Sequence, residues 1–305
     1  MEKNLNETPQ GFIWDLSNND PYLRWREQRL EQSRDLHGAP LVEIRDLANP
    51  SAAEKGEIVR RCVQTNMALY QATTPVDDPD QVRIGLRGFA ASMGLEIAET
   101  HRSAGKSAIV ALTYSQHPEQ KNYIPYSHKP INWHTDGYYN GPDRQIRAMV
   151  LHCFRPAAAG GQNQLLDTEI AYIRLRDHNP EFIAALMHPQ AMTIPENMAE
   201  NGTLRPVSVG PVFSIDPAGN LIMRYTARTR SISWRQDETT LAAVAFLHQM
   251  MEKGDDLIQT ITLEPGQGVL CNNSLHNRSG FEPKTGNGVE RMMFRVRFHN
   301  RIKGS

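Results

Sequence analysis

In Asn132-Trp-His-Thr-Asp-Gly-Tyr-Tyr139 a histidine and an aspartate stand two residues apart. Residues i and i+2 of an extended chain share a face, so His134 and Asp136 can present an imidazole and a carboxylate side by side. Among 11 histidines such a pair also arises by chance, as a hydrogen-bonded surface histidine beside an acid. Far along the chain, Asn272-Asn-Ser-Leu-His-Asn-Arg-Ser-Gly-Phe281 sets His276 just past the end of an apolar strand, Val269–Cys271. If the fold brings the three together, two His and one carboxylate take one face of a metal and leave its other positions open. That is the donor set of non-haem Fe(II) oxygenases. Catalytic zinc sites use it too, and the absence of a helical HExxH lowers that option without removing it.

A third stretch, Arg291-Met-Met-Phe-Arg-Val-Arg-Phe298, alternates strictly. Arg291, Met293, Arg295 and Arg297 fall on one face, and Met292, Phe294, Val296 and Phe298 on the other. The arginine face is either the wet side of a surface strand or the lining of a barrel mouth. In the second case a planar guanidinium could clamp a dicarboxylate through two parallel hydrogen bonds. The two readings differ in whether that face is solvated or buried near the histidines.

The elements that must position these groups follow from the pattern around them. Asp20 to Leu36 reads as a short surface helix with opposite charges at Arg24–Glu27 and Glu31–Arg34. Ser51–Tyr70 has helical apolar spacing, and Pro79–Met93 follows Asp78 as an N-cap. From Ala108 the period shortens, with strands at 108–115 and Ala148–Phe154. Helices interrupt at Thr168–Leu186, split by Asn179-Pro180, and at Asp237–Lys253. Further strands follow at Leu257–Leu263, Val269–Asn272 and Glu290–Asn300. Helices followed by short strands with Gly/Pro turns predict a mainly β fold with flanking helices, a sandwich or jelly roll. We expect a single domain over 1–305, with 1–107 a mostly helical decoration and 108–305 the catalytic core with helical insertions.

Composition narrows the function classes. Hydrophobic residues at 39% and charged residues at 22% are ordinary for a globular chain. The net charge of −1 excludes a chain-wide basic footprint for nucleic acid. Apolar runs such as Leu241–Leu247 fall short of a bilayer span, and the opening residues lack the pattern of a secretory signal. Cys62, Cys153 and Cys271 are widely spaced and odd in number, which suits reduced thiols in a cytoplasmic protein. The expected partner is a small-molecule substrate, with neither nucleic acid nor membrane. Ser51–Tyr70 and Asp237–Lys253 could form contacts in a homo-oligomer.

Together the motifs resemble the taurine dioxygenase and clavaminate-synthase-like family of Fe(II)/2-oxoglutarate-dependent oxygenases. The resemblance rests on His134-Thr-Asp136, on Gly160-Gly161 with Asp167, on Asn272 to His276 with Arg278, and on Arg291 with Arg295. It implies a double-stranded β-helix, a jelly roll whose open end holds the metal. His134, Asp136 and His276 would then be the catalytic iron ligands. Arg291 would hold the distal carboxylate of 2-oxoglutarate, and Arg295 would reach the co-substrate's other end or an anionic substrate. Where the family often has Thr or Ser two residues after the glycine pair, this chain has Asn163, whose amide can donate the same hydrogen bond.

His-Thr-Asp-Gly-Tyr-Tyr139 and Met223-Arg-Tyr-Thr-Ala-Arg228 further resemble the branch acting on zwitterionic substrates. On that likeness Tyr138 and Arg228 would contact substrate, and Trp133, Tyr138 and Tyr139 would line a wall for a cation, unless they are simple packing. The implied reaction consumes O₂ and 2-oxoglutarate, releases succinate and CO₂, and hydroxylates a bound carbon by default. Pro195–Ser208 would be a lid. The rivals are a zinc-dependent hydrolase or lyase on the same jelly roll, and a non-catalytic binding protein.

Overall fold

The computed structural model describes residues 13–99, 108–114, 124–198, 204–282 and 290–305. Three helices, α1 (Asn19–Leu36), α2 (Ala52–Thr65) and α3 (Pro79–Ser92), alternate with two strands in the first part of the chain. A full capping box between Ser51 and Glu54 starts α2, and Asp78 with Pro79 starts α3 as expected. The helix expected over Ser51–Tyr70 is shorter than its spacing suggests. It ends at Asn66, in the left-handed region at φ 56°, and Met67–Ala72 forms a strand. Met, Ala and Leu favour helices in isolation, but pairing on both sides overrides that preference.

Ten strands make two sheets. They are β1 (Val42–Ile44), β2 (Met67–Ala72), β3 (Val110–Thr113), β4 (Ile131–His134), β5 (Ala148–Arg155), β6 (Asn163–Leu166), β7 (Gln259–Ile261), β8 (Gln267–Cys271), β9 (Leu275–Arg278) and β10 (Met292–Phe298). The larger sheet has the order β1-β2-β8-β5-β10-β3, and the smaller one β7-β6-β9-β4. The fold is thus mainly β at its centre with helices on its flanks. Residues 1–107 are more than decoration, because β1 and β2 extend the larger sheet and β2 pairs with β8.

Both faces of the larger sheet are buried, which explains its near-continuous apolar runs. Tyr70, Val150, Leu270, Phe294, Val296 and Phe298 point to α2 and α3, against Ile58, Cys62, Leu86 and Phe89. Met67, Met149, Val269 and Cys271 point the other way and meet Leu165 of the smaller sheet. The outer face of the smaller sheet, through Trp133, Leu166 and Leu275, packs on α4 (Thr168–His178), α5 (Pro180–Leu186) and α6 (Glu238–Lys253). Asn179 caps α5 ahead of Pro180, as the sequence predicts.

The helix α1 is less superficial than expected. Tyr22, Arg29, Leu30 and Ser33 are buried, and the expected i,i+3 pairs do not form. Arg29 instead reaches Asp167 and Glu169, each at 2.8 Å. Exposed pairs contribute little, whereas a buried guanidinium must find partners. Part of the expected lid, residues 199–203, lies outside the described residues. On either side of it Asn197–Met198 pairs with Leu204–Arg205.

Candidate metal centre

His134 closes β4, and His276 lies past the end of β8 as the sequence suggests, within a further strand, β9, that the sequence does not mark. The polar run Asn272–Ser274 is the crossing from the larger sheet to the smaller, after which pairing resumes. There His276 and His134 are direct cross-strand partners, with ring centroids 4.2 Å apart. Strand register thus closes the long gap in sequence. Asp136 follows where Thr135 is held on Tyr225: Thr135 N–H donates to the Tyr225 carbonyl at 3.0 Å, and Thr135 Oγ1 accepts from Tyr225 N–H at 3.1 Å. Gly137 then turns the chain at φ 67°, where a Cβ would lie 2.5 Å from Ile146 Cγ1.

One ligand atom from each of His134, Asp136 and His276 lies within 4.8 Å of the others. Among the described residues no fourth protein donor joins this group. His134 Nδ1 lies 2.8 Å from the Asn132 carbonyl, and His276 Nδ1 lies 2.9 Å from the Ser274 carbonyl. Both rings must carry their proton on Nδ1, which leaves each Nε2 lone pair free for a metal. Burial holds the His134 imidazole down at about 3, helped by the neighbouring His276, and burial lowers His276 as well. Both are neutral, as ligands must be.

Asp136 is the counterpart. Burial alone would raise its carboxyl, but the guanidinium of Arg295, and then that of Arg297, outweigh it and keep the group ionised. Arg295 Nη1 and Arg297 Nη1 lie 3.2 and 3.4 Å from Asp136 Oδ1. Oδ2 is buried with no hydrogen-bond partner among the described residues. An unpartnered carboxylate oxygen beside two imidazole lone pairs is an expensive arrangement unless a cation completes it. The residues present therefore fit a divalent metal.

The arginine face is buried, not wet. Arg295 and Arg297 stand opposite Leu151 and Met149 on the inward side of β5. Arg297 was on the alternating face but carried no expected role. It bonds Tyr139 Oη at 3.0 Å and pairs with Glu99 as well as Asp136. Arg291 is 5% exposed and lies over the Phe281 ring at 5.0 Å, with Arg278 over the same ring at 4.8 Å. Burial lowers Arg291 to about 10. Burial, then the charge of Arg291, lowers Arg278 to about 9. Among the described residues neither has a carboxylate partner. Gly160 and Gly161, both at positive φ, let this corner close: a Cβ on Gly160 would lie 2.4 Å from the Gly280 carbonyl oxygen.

Asn163 is buried and stands in register with Arg278. It shares with His276 a narrow cavity walled by Met149, Leu151, Leu165 and Val269. Tyr138 faces His134 edge-on at 6.3 Å, and its hydroxyl accepts from Arg228 Nη1 at 3.1 Å. The expected cation wall loses Trp133, which the alternation of β4 turns away from His134 into the helical core. Arg224, given no role in the sequence, anchors the tyrosine segment. It is buried and donates to the carbonyls of Tyr138, Met192, Gly210 and Ser208.

Two sheets flanked by helices, carrying a three-donor site with room beside it, define the class of 2-His-1-carboxylate metalloproteins. The sequence matches the profile of the taurine catabolism dioxygenase TauD, TfdA family over residues 32–297. The chain belongs to that family. It is also 29% identical over 161 residues to a uridine-5'-phosphate dioxygenase of an Amycolatopsis species, an alignment covering 50% of this chain and 55% of that protein. The match thus spans about half the length of that relative. Among solved structures, asparagine oxygenase in complex with Fe(II), hydroxyasparagine and succinate has a TM-score of 0.60 at 12% identity, covering 81% of this chain and 78% of that one. The non-heme iron oxygenase OrfP in complex with Fe, succinate and a dihydroxy-L-Arg has a TM-score of 0.61 at 16% identity, covering 89% and 91%. These likenesses carry the fold.

Proposed function

We propose that this protein is an Fe(II)- and 2-oxoglutarate-dependent dioxygenase that hydroxylates a small anionic or zwitterionic molecule. The observation that carries the reading is the triad itself, with two free imidazole nitrogens and the unpartnered Asp136 Oδ2 converging on one point. Family membership supports it. On this reading the two facing sheets are a jelly roll, and the metal sits at the open end. A mixed interior of Met149, Val269 and Leu165 between the sheets supports that description.

His134, Asp136 and His276 would hold Fe(II), which with O₂ and 2-oxoglutarate supplies the oxidising power for C–H hydroxylation as succinate and CO₂ are released. Arg291, buried without a carboxylate partner among the described residues, is the group to receive the distal carboxylate of 2-oxoglutarate, because a dicarboxylate would complete its charge. Asn163, which lines the cavity beside His276, would donate a further hydrogen bond to the co-substrate, and the apolar wall of that cavity would keep water out. A non-redox zinc enzyme has no use for such a clamp. Arg295, 3.2 Å from Asp136 Oδ1, would meet the co-substrate's other end or an anionic substrate. Tyr138 and Arg228 form the outer contact for substrate. Arg205, 5.5 Å from the Tyr139 ring centre, adds a second cation to that side. Two such cations favour a phosphate or carboxylate, in keeping with a relative named for a nucleotide substrate. A reducing, cytoplasmic setting belongs to the same proposal and is supported by three free, buried thiols.

Anaerobic addition of Fe(II) and then 2-oxoglutarate tests this. The expected result is a weak visible charge-transfer band that needs both additions and is lost in Asp136→Ala. Succinate release that persists undiminished in Asp136→Ala would overturn the donor assignment.

A further inference from the structure

The three donors come from two segments distant in sequence, and one side chain ties the segments together. Asn273 lies in the crossing between β8 and β9, buried, with φ 54°. Its amide brackets the main chain of Asp136. Oδ1 accepts from Asp136 N–H at 2.8 Å, and Nδ2 donates to the Asp136 carbonyl at 3.0 Å. The second Nδ2 hydrogen goes to the Ile146 carbonyl at 2.9 Å. Because β4 ends at His134, Asp136 lacks the strand partner that would fix its peptide, and the amide takes that partner's place. One residue further on, the Ser274 carbonyl fixes the ring of His276. The same three-residue crossing therefore sets the backbone of one donor and the ring of another.

We propose that Asn273 is a positioning residue for the metal centre, holding Asp136 at a set distance from His276 before metal arrives. This rests on the assignment of His134, Asp136 and His276 as metal donors. The chemistry singles out asparagine. Its side chain offers donors and an acceptor at once, as a peptide does, whereas aspartate offers acceptors only. Asparagine also tolerates the left-handed backbone, which most residues do not. A donor segment without the bracket would have to order itself when metal binds, and the cost of that ordering appears as lost affinity.

The test titrates metal-free full-length protein with Co(II), read by calorimetry and by the visible d–d spectrum, beside a melting curve without metal. Asn273→Gly keeps the backbone freedom and removes the amide. Asn273→Asp keeps the size and loses both donated bonds. Each is expected to bind Co(II) about 10- to 100-fold more weakly than wild type, with an altered d–d spectrum and a melt that stays cooperative. Wild-type affinity and spectrum in the folded variants would overturn the proposal and reduce Asn273 to a stabilising contact. If Asn273→Gly does not fold, Asn273→Asp decides alone. Undiminished Co(II) affinity in Asp136→Ala is a separate failure, because it would remove the donor set while the Asn273 variants judge only the bracket.

Discussion

The charges of the site are arranged as a division of labour between like residues. Asp136 carries two arginines against Oδ1, while Oδ2 has no hydrogen-bond partner among the described residues, so one oxygen is fixed and one is left to bind. Arg291 has the reverse arrangement, a buried cation beside an aromatic ring and a second arginine, with no carboxylate partner among the described residues. Removing one partner of a buried charge pair costs at least about 2 kcal/mol, or about 30-fold in affinity. Arg291→Ala is therefore expected to raise the KM for 2-oxoglutarate by about 30-fold or more while the Co(II) affinity stays near wild type. An unchanged KM would move the clamp to Arg278. The alternation of Arg291 to Phe298 made this face legible in the sequence. Nothing local showed that Arg297 would reach Glu99 and Tyr139, because those contacts come from elements far away in the chain.

Elements were readable where a single rule governed them. Caps at Asp78, Asn179 and Asp237 marked helix starts because the cap chemistry is local, and Ser51 caps α2 in the same way. The strand Met67–Ala72 was hidden because its residues favour a helix and only its neighbours make it extended. The strand of His276 was hidden for another reason: Asn277 and Arg278 break the apolar alternation, and Asn273 serves a site rather than a core. The antiparallel pairing that closes the arginine corner, Ala159–Gly160 against Phe281–Glu282, depends on a bare backbone. In Gly160→Ala the added carbon meets the Gly280 carbonyl at φ 75°, and a loss of about 1 kcal/mol or more is expected. Calorimetric melting would check this, and a wild-type midpoint would show that the corner relaxes freely.

For the whole molecule, one buried aromatic cluster lies on the face of the larger sheet turned away from the metal. Phe294 is fully buried there among Tyr70, Phe89 and Phe154, and Phe294→Ala should cost about 3–5 kcal/mol in urea unfolding. On the same sheet His152 is buried, with Nδ1 hydrogen-bonded to the Tyr70 hydroxyl 3.1 Å away. Burial lowers its imidazole from 6.5 to about 4. Between those values the unfolded chain binds the proton and the folded one does not, so stability rises with pH across that window. The contribution is complete above about 6.5 and is lost as pH falls toward 4, on the order of 3 kcal/mol. His152→Gln should flatten that part of the pH–stability curve; an unaltered acid limb would assign it to other groups.

The opposition of His134 and His276 across neighbouring strands has one more outcome. A slip of a single step between these strands would turn one imidazole to the helical side and leave no place for an ion, whatever the rest of the molecule did. Correct zipping and competence to take up metal are then acquired in the same event. The fraction of refolded chains that captures one equivalent of Co(II) would count, molecule by molecule, how many had closed in step.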